Sequence, residues 1–313
     1  MSFFNGKTVI VTGGNGFLGQ YVVARLVNAG CENVIVPDIG EYNLTREADI
    51  IRLYETAKAD IVIHLAASVG GIGANQQNPG TFFYNNAIMG IQLIEQARQF
   101  GIEKFVTIGT TCCYPKKIDT PYREEDLWEG YPDEITGFYG MAKKMLLVQS
   151  FAYRKQYGFN AIFLMPSNLY GPNDNFEDNS SHVIPAIIKR FVQAKSTNVQ
   201  SVVCWGTGEA SREFLYADDC AEGIIRATES YNSSEPVNLG TGIEITIKAL
   251  TEKIQKIVGY TGNIDWDATK PEGQRRRYMD VSKAEQYFGF RASTSIDEGL
   301  AKTIAWYKGK HIF

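Results

Sequence analysis

Two side chains near the middle of the chain stand where they can do acid–base chemistry together. Tyr139 and Lys143, within Tyr139-Gly140-Met141-Ala142-Lys143, are four residues apart and share one face of a helix. A free phenol, with a pKa near ~10, neither takes nor gives a proton readily at neutrality. An ammonium beside it favours the phenolate and moves it toward the working range. The spacing alone is common on helix surfaces, where it is an exposed pair. It gains weight from a hydroxyl, Thr110, standing at the end of a preceding apolar run. A threonine there can hydrogen-bond a carbonyl or alcohol, completing a Thr110–Tyr139–Lys143 set.

A second pattern lies near the N-terminus. Thr12-Gly13-Gly14-Asn15-Gly16-Phe17-Leu18-Gly19 follows the first strand-like run and opens the first helical one. Glycines at this spacing let the backbone turn tightly and approach a pyrophosphate, which the free N–H groups and dipole of the helix N-terminus stabilise. Gly13, Asn15, Gly16, Phe17, Leu18 and Gly19 are therefore candidates for binding a dinucleotide cofactor. Asp38 follows the second strand, 19 positions beyond Gly19. Its carboxylate can accept hydrogen bonds from the adenosine ribose and would repel a 2′-phosphate, which favours NAD(H) over NADP(H). The plain alternative is a solvated loop aspartate.

These residues need a scaffold to bring them together. Val- and Ile-rich runs at 8–12, 33–36, 61–65, 105–108 and 161–164 alternate with helical patterns such as 16–28, 86–100 and 139–157. That alternation predicts a doubly wound α/β fold: a parallel sheet covered on both faces, with ligands at the carboxyl ends of its strands. The polar, proline-bearing stretch 115–138 has no clear periodicity. It exceeds the ~12–15 residues of ordinary loops and reads as a flap beside the site. After Pro166 the pattern becomes irregular, and 168–176 reads as turn chemistry. Helices near 183–194, 247–258 and 296–307 then interleave with short strands. The expected organisation is a dinucleotide-binding domain over 1–165 and a smaller, mainly substrate-binding domain over 166–313, with some segments returning to the first.

Composition narrows the class. With 44% hydrophobic and 21% charged residues among 313, disordered, collagenous and coiled-coil chains are excluded. A net charge of −4 argues against nucleic-acid and anionic-membrane partners. No apolar run approaches the ~18 residues of a membrane span, and the N-terminus reads as neither a signal nor a transit peptide. Five cysteines without a C-x-x-C pair, and only three histidines, predict neither a disulfide framework nor a metal site. A reducing, cytoplasmic setting follows.

The glycine turn, the hydroxyl after the fourth strand and Tyr-x-x-x-Lys resemble the extended short-chain dehydrogenase/reductase family that acts on nucleotide sugars. Further segments sharpen the likeness: Val69-Gly70-Gly71-Ile72-Gly73-Ala74-Asn75, Gly109-Thr110-Thr111-Cys112-Cys113-Tyr114-Pro115, Pro166 to Phe176, Ser181-His182-Val183-Ile184-Pro185, Trp205-Gly206-Thr207-Gly208 and Arg212-Glu213-Phe214-Leu215-Tyr216. In this order, over nearly the whole chain, they resemble the GDP-L-fucose synthases, which are 3,5-epimerase/4-reductases of GDP-4-keto-6-deoxy-mannose.

The resemblance implies roles. Thr110 stands where the family has its catalytic serine, with Tyr139 and Lys143 as partners. Cys112 matches the cysteine that abstracts protons beside the ketone, and His182 the histidine that reprotonates the opposite face. Asn168 matches a substrate-binding asparagine. Lys189 or Arg190, Trp205, Arg212 and one of Arg275, Arg276 and Arg277 fall in the GDP-binding stretches, with Arg277 the choice from the run. Leu65, Ala66, Ala67, Pro166, Asn168, Leu169 and His182, with Tyr139 and Lys143, would line the cofactor. NADP(H) is the family's cofactor, a GDP-linked sugar its substrate and a homodimer its usual assembly.

The set is chemically coherent. A 4-keto group acidifies both neighbouring C–H bonds, and a thiolate–imidazole couple near neutrality can supply base and acid. Donors from Thr110 and Tyr139 would stabilise the enolate oxygen, and arginines would bind the two phosphates bidentately. Blander readings exist: Cys112 as a small buried hydrophobe, His182 as a helix cap, Trp205 as core, the arginine run as a solvated face. His64 and His311 receive no role. The chain departs from the family pattern at Thr110-Thr111, where two serines are usual, and at Cys113, which replaces an aliphatic residue. Gly14-Asn15 replaces a His-Arg pair, which sets the family's NADP(H) against the NAD(H) favoured by Asp38. Rival readings are a GDP-colitose or GDP-heptose pathway enzyme, a redox-neutral nucleotide-sugar epimerase or dehydrogenase, and a non-enzymatic NAD(P) sensor.

Overall fold

The computed structural model describes residues 2–178, 180–270 and 273–310; His311 lies outside them. Five strands occupy the predicted runs: β1 (Thr8–Thr12), β2 (Asn33–Ile35), β3 (Ile61–His64), β4 (Lys104–Ile108) and β5 (Ala161–Pro166). All pair in parallel, in the order β2-β1-β3-β4-β5. The chain moves outward from β1 to β2, then crosses back to β3. The crevice at that reversal opens beyond the carboxyl end of β1, where the glycine turn lies.

Helices α1 (Phe17–Asn28), α2 (Glu47–Ala57), α3 (Ile72–Gln77), α4 (Pro79–Gln99) and α5 (Gly137–Tyr157) connect the strands. Side chains alternate across the sheet, so Val9 and Val11 pack with Val22 and Leu26 of α1 on one face. Ile10 packs with Leu93 of α4 and Leu146 of α5 on the other.

The second half contributes β6 (Asn168–Tyr170), β7 (Ser201–Trp205), β8 (Ser211–Tyr216), β9 (Val237–Leu239), β10 (Glu244–Thr246), β11 (Asn263–Asp267) and β12 (Arg276–Arg277), with α6 (Val183–Ser196), α7 (Ala217–Ser230), α8 (Ile247–Val258), α9 (Ser282–Phe288) and α10 (Ile296–Lys310). β9 adds to β5 as the sixth strand of the large sheet, and α7 packs on α1. A separate small sheet runs β10-β8-β12, with β6 also paired to β8. β7 pairs with β11 alone. Ile188, Phe191, Phe214, Leu250, Ile254, Leu300 and Ile304 form a third apolar cluster between α6, α8, α10 and these strands.

Three local expectations change. Asn168-Leu169-Tyr170 reads as a turn yet forms β6, because β8 offers it a ladder. α4 begins at Pro79, well ahead of the apolar period; proline suits the first turn of a helix, and Phe83 and Tyr84 there are exposed. The stretch read as a flap holds a short 3-10 helix, Glu124–Trp128, and α5 already starts at Gly137. Buried Tyr122 and Leu127 fasten that stretch to the body. No described helix is long and apolar enough to cross a membrane.

Candidate active site

The reactive end is built by close contact between α5 and the turn after β4. That turn is a single 3-10 segment, Thr111–Cys113, which Thr110 caps by accepting the Cys112 N–H on its hydroxyl at 3.2 Å. Gly140 is packed so tightly on it that a Cβ there would sit 2.0 Å from the Cys112 carbonyl oxygen. The residue inside the Tyr-x-x-x-Lys spacing must therefore be glycine, and Tyr139 is brought beside the thiols.

The two cysteines are then distinguished. Cys113 is buried and its Sγ donates to the Gly140 carbonyl at 3.3 Å, while burial pushes the thiol up to about 12. Cys112 is half-buried. Of the pair, only Cys112 is presented outward.

Tyr139 and Lys143 are both buried. Burial brings the Lys143 ammonium down to about 8, with Cys113 opposing. Tyr139 moves the other way: burial, then the fields of Cys112 and Cys113, push the phenol up. The expectation of a lowered phenol is not met by the chain's own groups: desolvation of the phenolate leads and the two thiols add to it.

The glycine turn is a shaped cradle. Gly13 has φ +72°, and a Cβ on it would come within 2.8 Å of the Ala66 backbone nitrogen. One on Gly19 would lie 2.1 Å from the Gly13 carbonyl. Gly16 heads α1 without a side-chain cap, and the first turn carries no acidic residue. Leu65 and Ala66 are fixed alongside, their N–H groups donating to Thr12 O (3.1 Å) and Thr12 Oγ1 (3.3 Å). Ala67 follows, Pro166 ends β5 and Leu169 is the middle residue of β6. Such a cradle, with uncapped N–H groups above it, fits a pyrophosphate. Asp38 is exposed beyond β2, its Oδ1 accepting the Gly40 N–H at 2.8 Å. A Cβ on Gly14 would lie 2.7 Å from both Val36 methyls, so no larger residue fits there.

His182 is the N-cap of α6 but makes no side-chain cap bond, which removes the capping role. The residue is exposed, yet protein around the ring desolvates it and holds the imidazole below its ordinary pKa. Sequence reading gave no task to Gly70, Gly71 and Asn75, but they pack against the segment that leads into His182. The Gly71 N–H donates to Ser180 O at 3.2 Å, and a Cβ at Gly71 would stand 3.1 Å from Ser181 O. Asn75 Nδ2 holds the Gly70 and Gly71 carbonyls at 2.8 and 3.1 Å. A Gly-Gly pair shortly before an asparagine was the available signal.

Farther along, Arg212 of β8 and Arg277 of β12 are register partners in a parallel pair and share one face of the small sheet. Arg277 Nε is buried without a hydrogen-bond partner among the described residues. Arg276 instead pairs with Glu244, and Arg275 is exposed. Trp205 is 57% exposed, with Arg190 and Lys270 at 5.7 and 5.8 Å from its ring, so it is not core. Lys189 points elsewhere, to Asp178 (2.8 Å) and Phe176 O (3.1 Å), so Arg190 is the one beside the indole. Asn168 donates to Glu213 O at 2.9 Å. No cluster of three His, Cys, Asp or Glu side chains suited to a metal occurs among the described residues.

The chain is similar to several known proteins. GDP-L-fucose synthase 1 of Arabidopsis thaliana is 38% identical over 299 residues, spanning 96% of this chain and 92% of its own. The structure of a GDP-L-fucose synthetase from Naegleria fowleri bound to NADP superposes with a TM-score of 0.89 at 26% identity, covering 99% of this chain and 96% of that one. That of a GDP-6-OMe-4-keto-L-xylo-heptose reductase from C. jejuni superposes with a TM-score of 0.91 at 25% identity, covering 99% of each. A model of the NAD dependent epimerase/dehydratase family matches residues 9–240. The chain belongs to that family.

Proposed function

We propose that the protein epimerises and then reduces a GDP-linked 4-keto-6-deoxy sugar, most simply converting GDP-4-keto-6-deoxy-D-mannose to GDP-L-fucose. The observation that carries this reading is the packing of Gly140 on the Cys112 carbonyl, which sets an outward thiol beside Tyr139. Relatives named for that activity support it.

In this reading Cys112 takes the proton from C3 and from C5, and the charge collects on the ketone oxygen. Thr110 and Tyr139 donate to that oxygen. His182, protonated from solvent, delivers a proton to the opposite face of the ring, and Cys112 releases its own proton to solvent before the next abstraction. Desolvation disfavours the charged imidazole, which makes it a ready proton donor. The glycine turn, Leu65 to Ala67, Pro166, Leu169 and Lys143 would hold the dinucleotide. A reduced nicotinamide supplies the hydride for C4. Tyr139 delivers the accompanying proton to the C4 oxygen, and a buried phenol that resists ionisation stays loaded for that step. Arg212 and Arg277 bind the diphosphate and Trp205 stacks on guanine, with Asn168 against the sugar.

Finer assignments follow. Asp38 and the side-chain-free position at Gly14 favour NADH over NADPH. Exposed Phe83 and Tyr84 of α4 and Phe138, Met145 and Val148 of α5 suit a homodimer paired through these helices. Five free cysteines suit the cytoplasm. The C. jejuni superposition favours a second reading, reduction of a GDP-linked heptose at the same site.

The test is incubation in heavy water with GDP-4-keto-6-deoxy-mannose and NADH or NADPH. The expected result is deuterium at C3 and C5, one reduced cofactor consumed per sugar, faster with NADH, and GDP-L-fucose by NMR. Exchange without consumption would point to a redox-neutral epimerase. Turnover only of a GDP-4-keto-heptose would select the second reading. Dinucleotide binding with no turnover of either sugar would leave a sensor.

A further inference from the structure

Glu213 follows Arg212 on β8, so its side chain leaves the opposite face of the strand. It is 1% exposed, and its carboxylate accepts hydrogen bonds on both oxygens among the described residues. Oε1 accepts the backbone N–H groups of Thr241 (2.5 Å) and Gly242 (2.9 Å) and the Thr241 hydroxyl (3.4 Å). Oε2 accepts the Met279 N–H at 2.8 Å. A Cβ on Gly240 would lie 2.0 Å from Oε1, so the loop closes on the carboxylate at a glycine. Burial raises the carboxyl and these donors oppose it.

The strand that carries Arg277 is short. β12 has two register pairs with β8, Arg276 with Ser211 and Arg277 with Arg212, and so brief a ladder does not hold a strand by itself. Just past it, the Met279 N–H is clipped to Glu213 Oε2. A closed ring results: Arg212 to Glu213 along β8, Glu213 to Met279 by hydrogen bond, Met279 back along the chain to Arg277, and Arg277 to Arg212 by register.

We infer that Glu213 is a positioning residue for diphosphate recognition, clipping the Arg277 strand beside Arg212 so that the two guanidiniums meet one pyrophosphate together. This rests on the assignment of Arg212 and Arg277 to the substrate diphosphate. A carboxylate is required because all of its partners donate; the NH₂ group of a glutamine cannot accept.

The test is a double-mutant cycle on the full-length protein, with GDP and NADH affinities measured by calorimetry for Glu213→Gln, Arg277→Ala and the double variant. Glu213→Gln weakens GDP about 10-fold or more and raises KM for the GDP-sugar with kcat little changed, while NADH affinity stays within about 2-fold. The double variant binds GDP about as well as Arg277→Ala alone, because the clasp acts through that arginine. Gly240→Ala, which pushes a methyl against Oε1, gives the same pattern. Additive losses, equal loss of NADH affinity, unchanged GDP affinity, or both clasp variants melting before binding can be measured would each overturn the inference. A native protein that binds no GDP would instead remove the assignment beneath it.

Discussion

The two ends of the candidate site are made from different materials. At the reactive end, α5 is pressed onto the Thr111–Cys113 turn, and Tyr139, Lys143 and Cys113 are all buried there. At the diphosphate end, a two-residue strand is fastened just past its end by backbone hydrogen bonds with Tyr122 and by one to Glu213, and the Trp205 indole stands in solvent beside two cations. An acid or base works only within hydrogen-bond reach of the proton it moves, which demands a stiff backbone frame. Guanidiniums gather a diphosphate by charge and tolerate more play. Damage at the first end should therefore appear in turnover, and at the second in KM.

The largest expected effect tests the reactive end directly. Cys112→Ser lowers deuterium exchange at C3 and C5 by about 10²–10⁴-fold, whereas Tyr139→Phe chiefly blocks reduction, by a similar factor. Cys113→Ser leaves both rates within about 3-fold, since that thiol is sealed against Gly140. Exchange lost in the Cys113 variant but kept in the Cys112 one would reverse the assignment of the thiols.

Gly140→Ala asks whether the frame matters as much as the groups it carries. The added methyl must displace the Cys112 carbonyl, costing about 1–3 kcal/mol in a melting experiment. Turnover drops about 100-fold, as misplacement of reacting groups predicts, while GDP still binds. A variant with near-native turnover would break the contrast between the two ends.

Arg277→Ala probes the other side. KM for the GDP-sugar rises about 10–100-fold, matching the ~1.5–3 kcal/mol of a charged hydrogen bond, and kcat changes little. A collapse of kcat with unchanged KM would merge the two ends into one unit.

The smallest effect concerns stability beneath the reactive end. His64 is fully buried, its Nδ1 2.8 Å from Thr12 Oγ1, and burial followed by the Lys143 charge holds its pKa well below the ordinary value. The unfolded imidazole takes a proton below ~6.5 and the folded one does not, so stability falls with pH below that point by up to ~1.4 kcal/mol per unit. Melting temperatures from about two pH units below that point to about half a unit above it should show this slope, reduced in His64→Asn. An unchanged slope would place its origin elsewhere.

The parallel sheet was legible because apolar runs and helical periods repeat locally, and each reports its own burial. The glycine turn was equally plain, since a strand, three spaced glycines and a helix start are contiguous in the chain. Strand β6 was missed because Asn168-Leu169-Tyr170 has little strand character without β8 beside it. The packing of Gly71 on the segment before His182 was missed for a like reason: Gly71 and Ser180 are joined by one hydrogen bond across a long stretch of sequence.

The amino-acid order alone determined the nucleotide-binding half, the phenol–ammonium spacing and the residue types available for proton transfer, because those depend on neighbours in the chain. Folding in three dimensions decided which thiol turns outward, which arginine of three stands beside Arg212, and which cation lies against Trp205. Those choices are made by side chains meeting from distant segments, and no local pattern encodes which partner arrives.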